Sequence, residues 1–312
     1  MENYPFRQKD KPGERPDLYV IAANQELKDV PGRYDGEYRS VMKIAASTYL
    51  NSAPLVFSFA QGKLRNQFTF IGDAAPARCA AMLAAGQCDV ALIPVIEYQR
   101  ISGIKIIPEI AVASKNKVRS VLLAARRPLE EVRVVALDSS SRTSQTLVKI
   151  LFARRYGAMP QFIERTPDPE VMCENMFETG EAALVIGDPA MQLGAHAGDL
   201  GLRVYDLAEE WREMTGLPFV FAIWAVRDNA VKERPGLVQE MLAAKIEGIS
   251  QIDLIASQYA DELKLPEASL RSYLRDNVNY DLDQANIAGI MKYFKLGKDE
   301  GLIPNVRELV IC

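Results

Sequence analysis

A single histidine, His196, serves a chain of 312 residues. It lies in Leu193-Gly194-Ala195-His196-Ala197-Gly198, a run of small residues that reads as a solvated loop. Imidazole is the usual proton shuttle near neutral pH, so its scarcity disfavours Ser-His-Asp hydrolysis. The four cysteines, Cys79, Cys88, Cys173 and Cys312, form no CxxC pair. Zinc needs thiolates or imidazoles at tight spacing, so no metal site is expected. Scattered thiols fit a reducing cytoplasm, the expected location. No apolar run approaches the roughly 20 residues that span a bilayer, so no membrane association is expected. The formal net charge of -4 comes without a basic stripe interleaved with aromatics, which argues against nucleic acid as partner. A Walker-type phosphate loop is absent too.

What is present is an α/β pattern. Hydrophobic residues at 48% and charged residues at 25% give the balance of a globular enzyme or binding protein, and the length suits two domains. Residues 1–41 are polar and charged, without the apolar core of a secretory signal, and are expected to form a flexible N-terminal arm. From Met42 onward, strand-like runs alternate with helical ones, which predicts a largely parallel sheet in each of two lobes. Two apolar strands, Arg119–Ala124 and Phe219–Val226, look like crossings between lobes. The second opens on Thr215-Gly216-Leu217-Pro218 and carries Phe219, Phe221 and Trp224. The expected boundaries are 42–124 with 226–312 for a discontinuous first lobe, and 125–225 for the second. Ligands of such sheets sit at the carboxyl ends of strands, beside helix N-termini.

Four segments could carry chemistry there. Tyr49-Leu50-Asn51-Ser52-Ala53-Pro54-Leu55 opens a helix after the first strand. Asn51 or Ser52 can cap it, or Asn51 can present its amide to a ligand at the mouth of a cleft. Asp138-Ser139-Ser140-Ser141-Arg142-Thr143-Ser144 joins a strand end to a helix start. Its hydroxyls, free backbone N–H groups, Arg142 and the positive helix end make an anion site, with a plain capping turn as the alternative. In Ile186-Gly187-Asp188-Pro189, Gly187 permits close approach and Asp188 can cap; a cleft-lining role competes with the cap alone. Glu97 sits where a carboxylate more often complements a helix dipole than acts as a base.

In this order, and together with Asp89-Val90-Ala91-Leu92-Ile93-Pro94, Glu97, Trp211 and Thr215 to Trp224, these segments resemble the chorismate dehydratases of the futalosine route to menaquinone. The resemblance implies a periplasmic-binding-protein-like type II fold, two α/β lobes joined by two crossing strands around a central cleft. It implies loss of water from chorismate to give 3-[(1-carboxyvinyl)oxy]benzoate, with no metal or organic cofactor and no obligate protein partner. The family's functional asparagine falls on Asn51 and its functional serine on Ser120. Tyr49, Ser139, Ser141, Arg142, Thr143, Ser144, Gly187, Asp188 and Phe219 are then the expected substrate contacts. A non-catalytic solute-binding module, or an intracellular ligand sensor, would share the fold.

Overall fold

The computed structural model describes residues 18–21, 41–168, 170 and 173–312. The rest of the expected arm, residues 1–17 and 22–40, lies outside the described residues. Within that arm, Leu18–Ile21 is a strand (β1). The first half of the chain then runs β2 (Lys43–Ser47), α1 (Ala53–Ala60), β3 (Thr69–Asp73), α2 (Pro76–Ala84), β4 (Val90–Pro94) and β5 (Ile104–Ser114). Next come β6 (Val121–Ala125), β7 (Val134–Asp138), α3 (Arg142–Leu151), β8 (Gln161–Arg165), β9 (Ala182–Ile186), α4 (Gly187–His196), β10 (Arg203–Asp206), α5 (Leu207–Thr215) and β11 (Phe219–Arg227). Helices close the chain: α6 (Asp228–Glu233), α7 (Leu237–Ser250), α8 (Ile252–Leu263), α9 (Glu267–Ser272) and α10 (Gln284–Asp299).

Two sheets result. The first has the order β1-β3-β2-β4-β11-β5 and the second β10-β6-β9-β7-β8. Neither is largely parallel, contrary to expectation. The β2–β3 and β2–β4 pairs are parallel, but β11 runs antiparallel to both β4 and β5. In the second sheet β7 is parallel to β8 and β9, and β6 is antiparallel to β9 and β10. The cause is the double crossing: each strand beside a crossing enters its sheet from the opposite end. Sheet membership also moves the lobe boundaries. Val121–Ala125, expected in the first lobe, pairs in the second sheet, and Phe219–Arg227, expected mostly in the second, pairs in the first. The chain therefore crosses between Ser114 and Val121, and again between Thr215 and Phe219.

Both faces of each sheet are covered. On one face of the first, α1, α7 and α8 bury Phe59, Phe68, Trp224 and Tyr259. The other face belongs to a cluster that continues into the second lobe through Phe219, Trp211 and Tyr293. On the outer face of the second sheet, Ala136 and Val185 share a cluster with Leu193 of α4. The C-terminal helices do not all cover the first lobe. Helix α10 packs against both β11 and α3, and its Tyr293 hydroxyl donates to the Thr143 carbonyl at 2.9 Å. Strand β5 runs unbroken through a bulge at Pro108-Glu109. Glu109 takes a φ of 60°, and Lys245 Nζ donates to its carbonyl at 2.6 Å.

Candidate functional site

The carboxyl ends of β2, β4, β7 and β9 converge on the gap between the sheets. Ser47 ends β2, Pro94 ends β4, Ser141 follows β7, and Gly187 follows β9. All four line one shared cavity, and a concave site at the carboxyl ends of strands is where a small ligand is expected in such a fold. Its wall also contains Tyr49, Asn51, Ser52, Thr143, Ser144, Val121 and Phe221. No lining residue carries a carboxylate, amine, guanidinium, imidazole or thiol. The polar groups are hydroxyls, one amide and the N-terminal turn of α3, whose backbone N–H groups favour negative charge. Tyr49 is the one ionisable wall residue. Burial, with the nearby carboxylates of Asp138 and Asp188, pushes its phenol above the ordinary value, so it stays neutral.

The lobes are closed over this cavity. From the first lobe, the Leu50 N–H donates to Asp188 Oδ1 at 3.0 Å. The Ile96 N–H donates to Thr143 Oγ1 at 3.3 Å. Arg142 Nη1 pairs with Glu97 Oε2 at 3.1 Å across the cleft. The Tyr49 ring lies on Gly187, where an added Cβ would stand 2.7 Å from the ring. Gly187 has a φ of 67°, so this turn demands glycine for its backbone as well as for its missing side chain.

Of the sequence-predicted residues, Tyr49, Asn51, Ser141, Thr143, Ser144 and Gly187 meet at the wall. The other five do not line it. Ser139 turns outward to share a hydrogen bond of 3.0 Å with Thr166. Arg142 pairs with Glu97, whose side chain is 4% exposed and is also bound by Arg100, so Arg142 is drawn off the wall and the Glu97 carboxylate is held by two guanidinium groups. Asp188 serves closure. Phe219 is buried against Trp211, Phe221 and Tyr293, with ring centroids 5.3, 4.8 and 5.2 Å away. Phe221 takes the wall position instead. A register shift of β11 against β5 between Val220 and Ala222 brings both Phe221 and Ala222 to the cavity, an effect strict alternation would forbid. Ser120 stands just behind the wall. Its carbonyl accepts the Gly187 N–H at 2.7 Å, and its buried hydroxyl accepts from Tyr273 at 2.7 Å.

Sequence reasoning missed Ser47 and Ser52 as wall residues; position at a strand's carboxyl end was the available signal for Ser47. It also missed the state of Asp138. This carboxyl is 2% exposed, and burial raises it from 3.8 to about 6, while the Ser140 hydroxyl and backbone N–H, with that of Ile186, hold it down in part. A folded-state value above the unfolded one means that Asp138 supports the fold fully below about pH 4 and loses that contribution as pH rises through about 6. Relative to the native chain, Asp138→Asn is therefore expected to gain about 3 kcal/mol between about pH 3.5 and 7. Denaturant unfolding at the two pH values checks it; parallel curves for both proteins would refute it.

His196 is the last residue of α4 rather than a loop residue. It is exposed and lies 4.0 Å from the exposed carboxylate of Asp199. It is not on the cavity wall. His196→Ala is expected to keep activity within about twofold, because surface changes remote from a site move little. A loss of several hundred-fold in a turnover assay would contradict that placement. Among the described residues, no group of three or more His, Cys, Asp and Glu side chains is placed to hold a metal ion. No helix among them is long and apolar enough to cross a membrane.

Comparison with known proteins adds to this geometry. A family described as menaquinone biosynthesis matches residues 42–299. A chorismate dehydratase of Thermus thermophilus is 29% identical, covering 78% of this chain and 91% of that protein. Among solved structures, protein AF1704 of Archaeoglobus fulgidus is similar at a TM-score of 0.65 and 16% identity, covering 84% of this chain and 98% of the other. The alkanesulfonate-binding protein SsuA of Xanthomonas axonopodis pv. citri, bound to MOPS, is similar at 0.64 and 14%, covering 85% and 94%. A Candida albicans protein described as having the generic periplasmic binding protein fold is similar at 0.64 and 11%, covering 86% and 92%. The fold is thus periplasmic-binding-protein-like, with two α/β lobes.

Proposed function

The chain belongs to the menaquinone-biosynthesis family, and from that premise we propose that it is a chorismate dehydratase, releasing water from chorismate to form 3-[(1-carboxyvinyl)oxy]benzoate without a cofactor. The observation that carries the reading is the chemistry of the wall: a closed, two-lobed cavity with many neutral donors and no charged side chain. Chorismate brings two carboxylates. The α3 N-terminus with Ser141, Thr143 and Ser144 holds one of them by hydrogen bonds and helix-end charge.

The reaction removes the proton at C3 and the hydroxyl at C4, and the ring becomes aromatic. That resonance gain lowers what the protein must supply. With no carboxylate or imidazole on the wall, the substrate's own side-chain carboxylate takes the C3 proton. The Asn51 amide donates to the departing C4 oxygen, which leaves as hydroxide and recovers the proton as water. Ser120, through its carbonyl bond to Gly187, supports the wall from behind rather than touching the ring. Closure excludes water and strengthens these contacts.

A non-catalytic anion binder is the second reading, favoured by the likeness to a sulfonate-binding protein. One experiment separates the two. The protein is mixed with chorismate, and the aromatic product is followed by absorbance and chromatography. Product formation supports the dehydratase. Chorismate binding by calorimetry without any product overturns it in favour of the binder.

A further inference from the structure

The turn after β2 holds a chain of three polar side chains that all line the cavity. The Ser52 hydroxyl donates to Asn51 Oδ1 at 3.0 Å. Ser47 and Ser52 hydroxyl oxygens are 2.7 Å apart. Ser47 is 4% and Ser52 2% exposed, so neither hydroxyl is solvated at the surface. A hydroxyl carries one proton. Because the proton of Ser52 goes to Asn51, its oxygen is left to accept the proton of Ser47. The chain then has one direction, from Ser47 through Ser52 to the Asn51 carbonyl oxygen.

A simpler role for Ser52 would be to cap α1, since it stands at the N-cap position. It does not: no side-chain hydrogen bond caps that helix. Its hydroxyl points sideways, to Asn51. An asparagine amide has two ends of similar shape and opposite chemistry, and only its hydrogen-bond partners decide which faces a ligand. With Oδ1 fixed on Ser52, the NH₂ end is left for the cavity. The reverse orientation would turn a carbonyl oxygen toward an anionic ligand.

We propose that Ser52, backed by Ser47, is a positioning residue that fixes the Asn51 amide with its NH₂ group toward the reacting oxygen. This rests on the reading that Asn51 serves the departing oxygen. Donors of this kind act by being aimed before the charge develops, and a misaimed donor is lost for turnover more than for binding.

The test is a double-mutant cycle on the full chain with chorismate as substrate, reading kcat and KM for Ser52→Ala, Asn51→Ala and the two combined. Ser52→Ala is expected to lower kcat about tenfold with KM within about twofold. The combined variant should be no slower than Asn51→Ala alone, because Ser52 has nothing left to aim. Ser47→Ala should lower kcat by about threefold in the same manner. An unchanged kcat in Ser52→Ala, or losses that multiply in the combined variant, overturns the proposal. Full activity in Asn51→Ala instead overturns the role of Asn51 itself. If Ser52→Ala does not fold, as judged by circular dichroism, Ser47→Ala enters the same cycle with Asn51→Ala and is held to the same criteria.

Discussion

Asn51→Ala is expected to lower kcat on chorismate by about 100- to 1,000-fold, the usual cost of losing one aimed donor at a developing oxyanion. The expectation follows from the wall. Asn51 supplies its one side-chain amide, and no positively charged side chain stands there to compensate. The fold should survive, since Asn51 is only partly buried and its side-chain carbonyl accepts a hydrogen bond from the neighbouring Ser52. Far-UV circular dichroism and the unfolding midpoint should therefore match the parent protein. A variant that keeps more than about half of its turnover would remove Asn51 from the chemistry.

Gly187→Ala should be comparably damaging, by a different route. The new methyl carbon would stand 2.7 Å from Cγ and 2.8 Å from both Cδ atoms of Tyr49. Its backbone would also be held at a φ of 67°, at a cost of about 1–2 kcal/mol for a residue other than glycine. The ring has to retreat, and Leu50, next in the chain, then loses its hold on Asp188. Activity is expected to fall by about 100-fold, with a loss of about 1–3 kcal/mol in stability. Small-angle scattering should show a larger radius of gyration as the lobes part. Wild-type activity with an unchanged radius would show that the Tyr49–Gly187 contact does not govern closure.

Much of this architecture is written in local sequence. The alternation of helical and strand-like runs, the two crossings and the cluster at Ser141, Thr143 and Ser144 rest on period, turn residues and helix-start chemistry, which act over a few positions. The unread parts depend on distant partners. Phe219 and Phe221 are alike as sequence; the register against β5, more than 100 residues earlier, decides which faces the ligand. Ser120 meets Tyr273 across 153 residues, a contact no local pattern records. Arg142 looks like an anion donor beside its serines, yet Glu97, 45 residues upstream, already holds it. Strand direction escaped for the same reason, since nothing in an apolar run records the end from which it enters a sheet.

The position of β11 has a consequence for synthesis. Strands β2 to β5 leave the ribosome first, but β4 and β5 are not neighbours: β11 must lie between them, and it is made more than 100 residues later. Strands β6 to β10 form an unbroken stretch with every pairing partner at hand. The half translated first is thus completed last, and in the interval it carries two unpaired strand edges that a chaperone, or a neighbouring nascent chain, can reach.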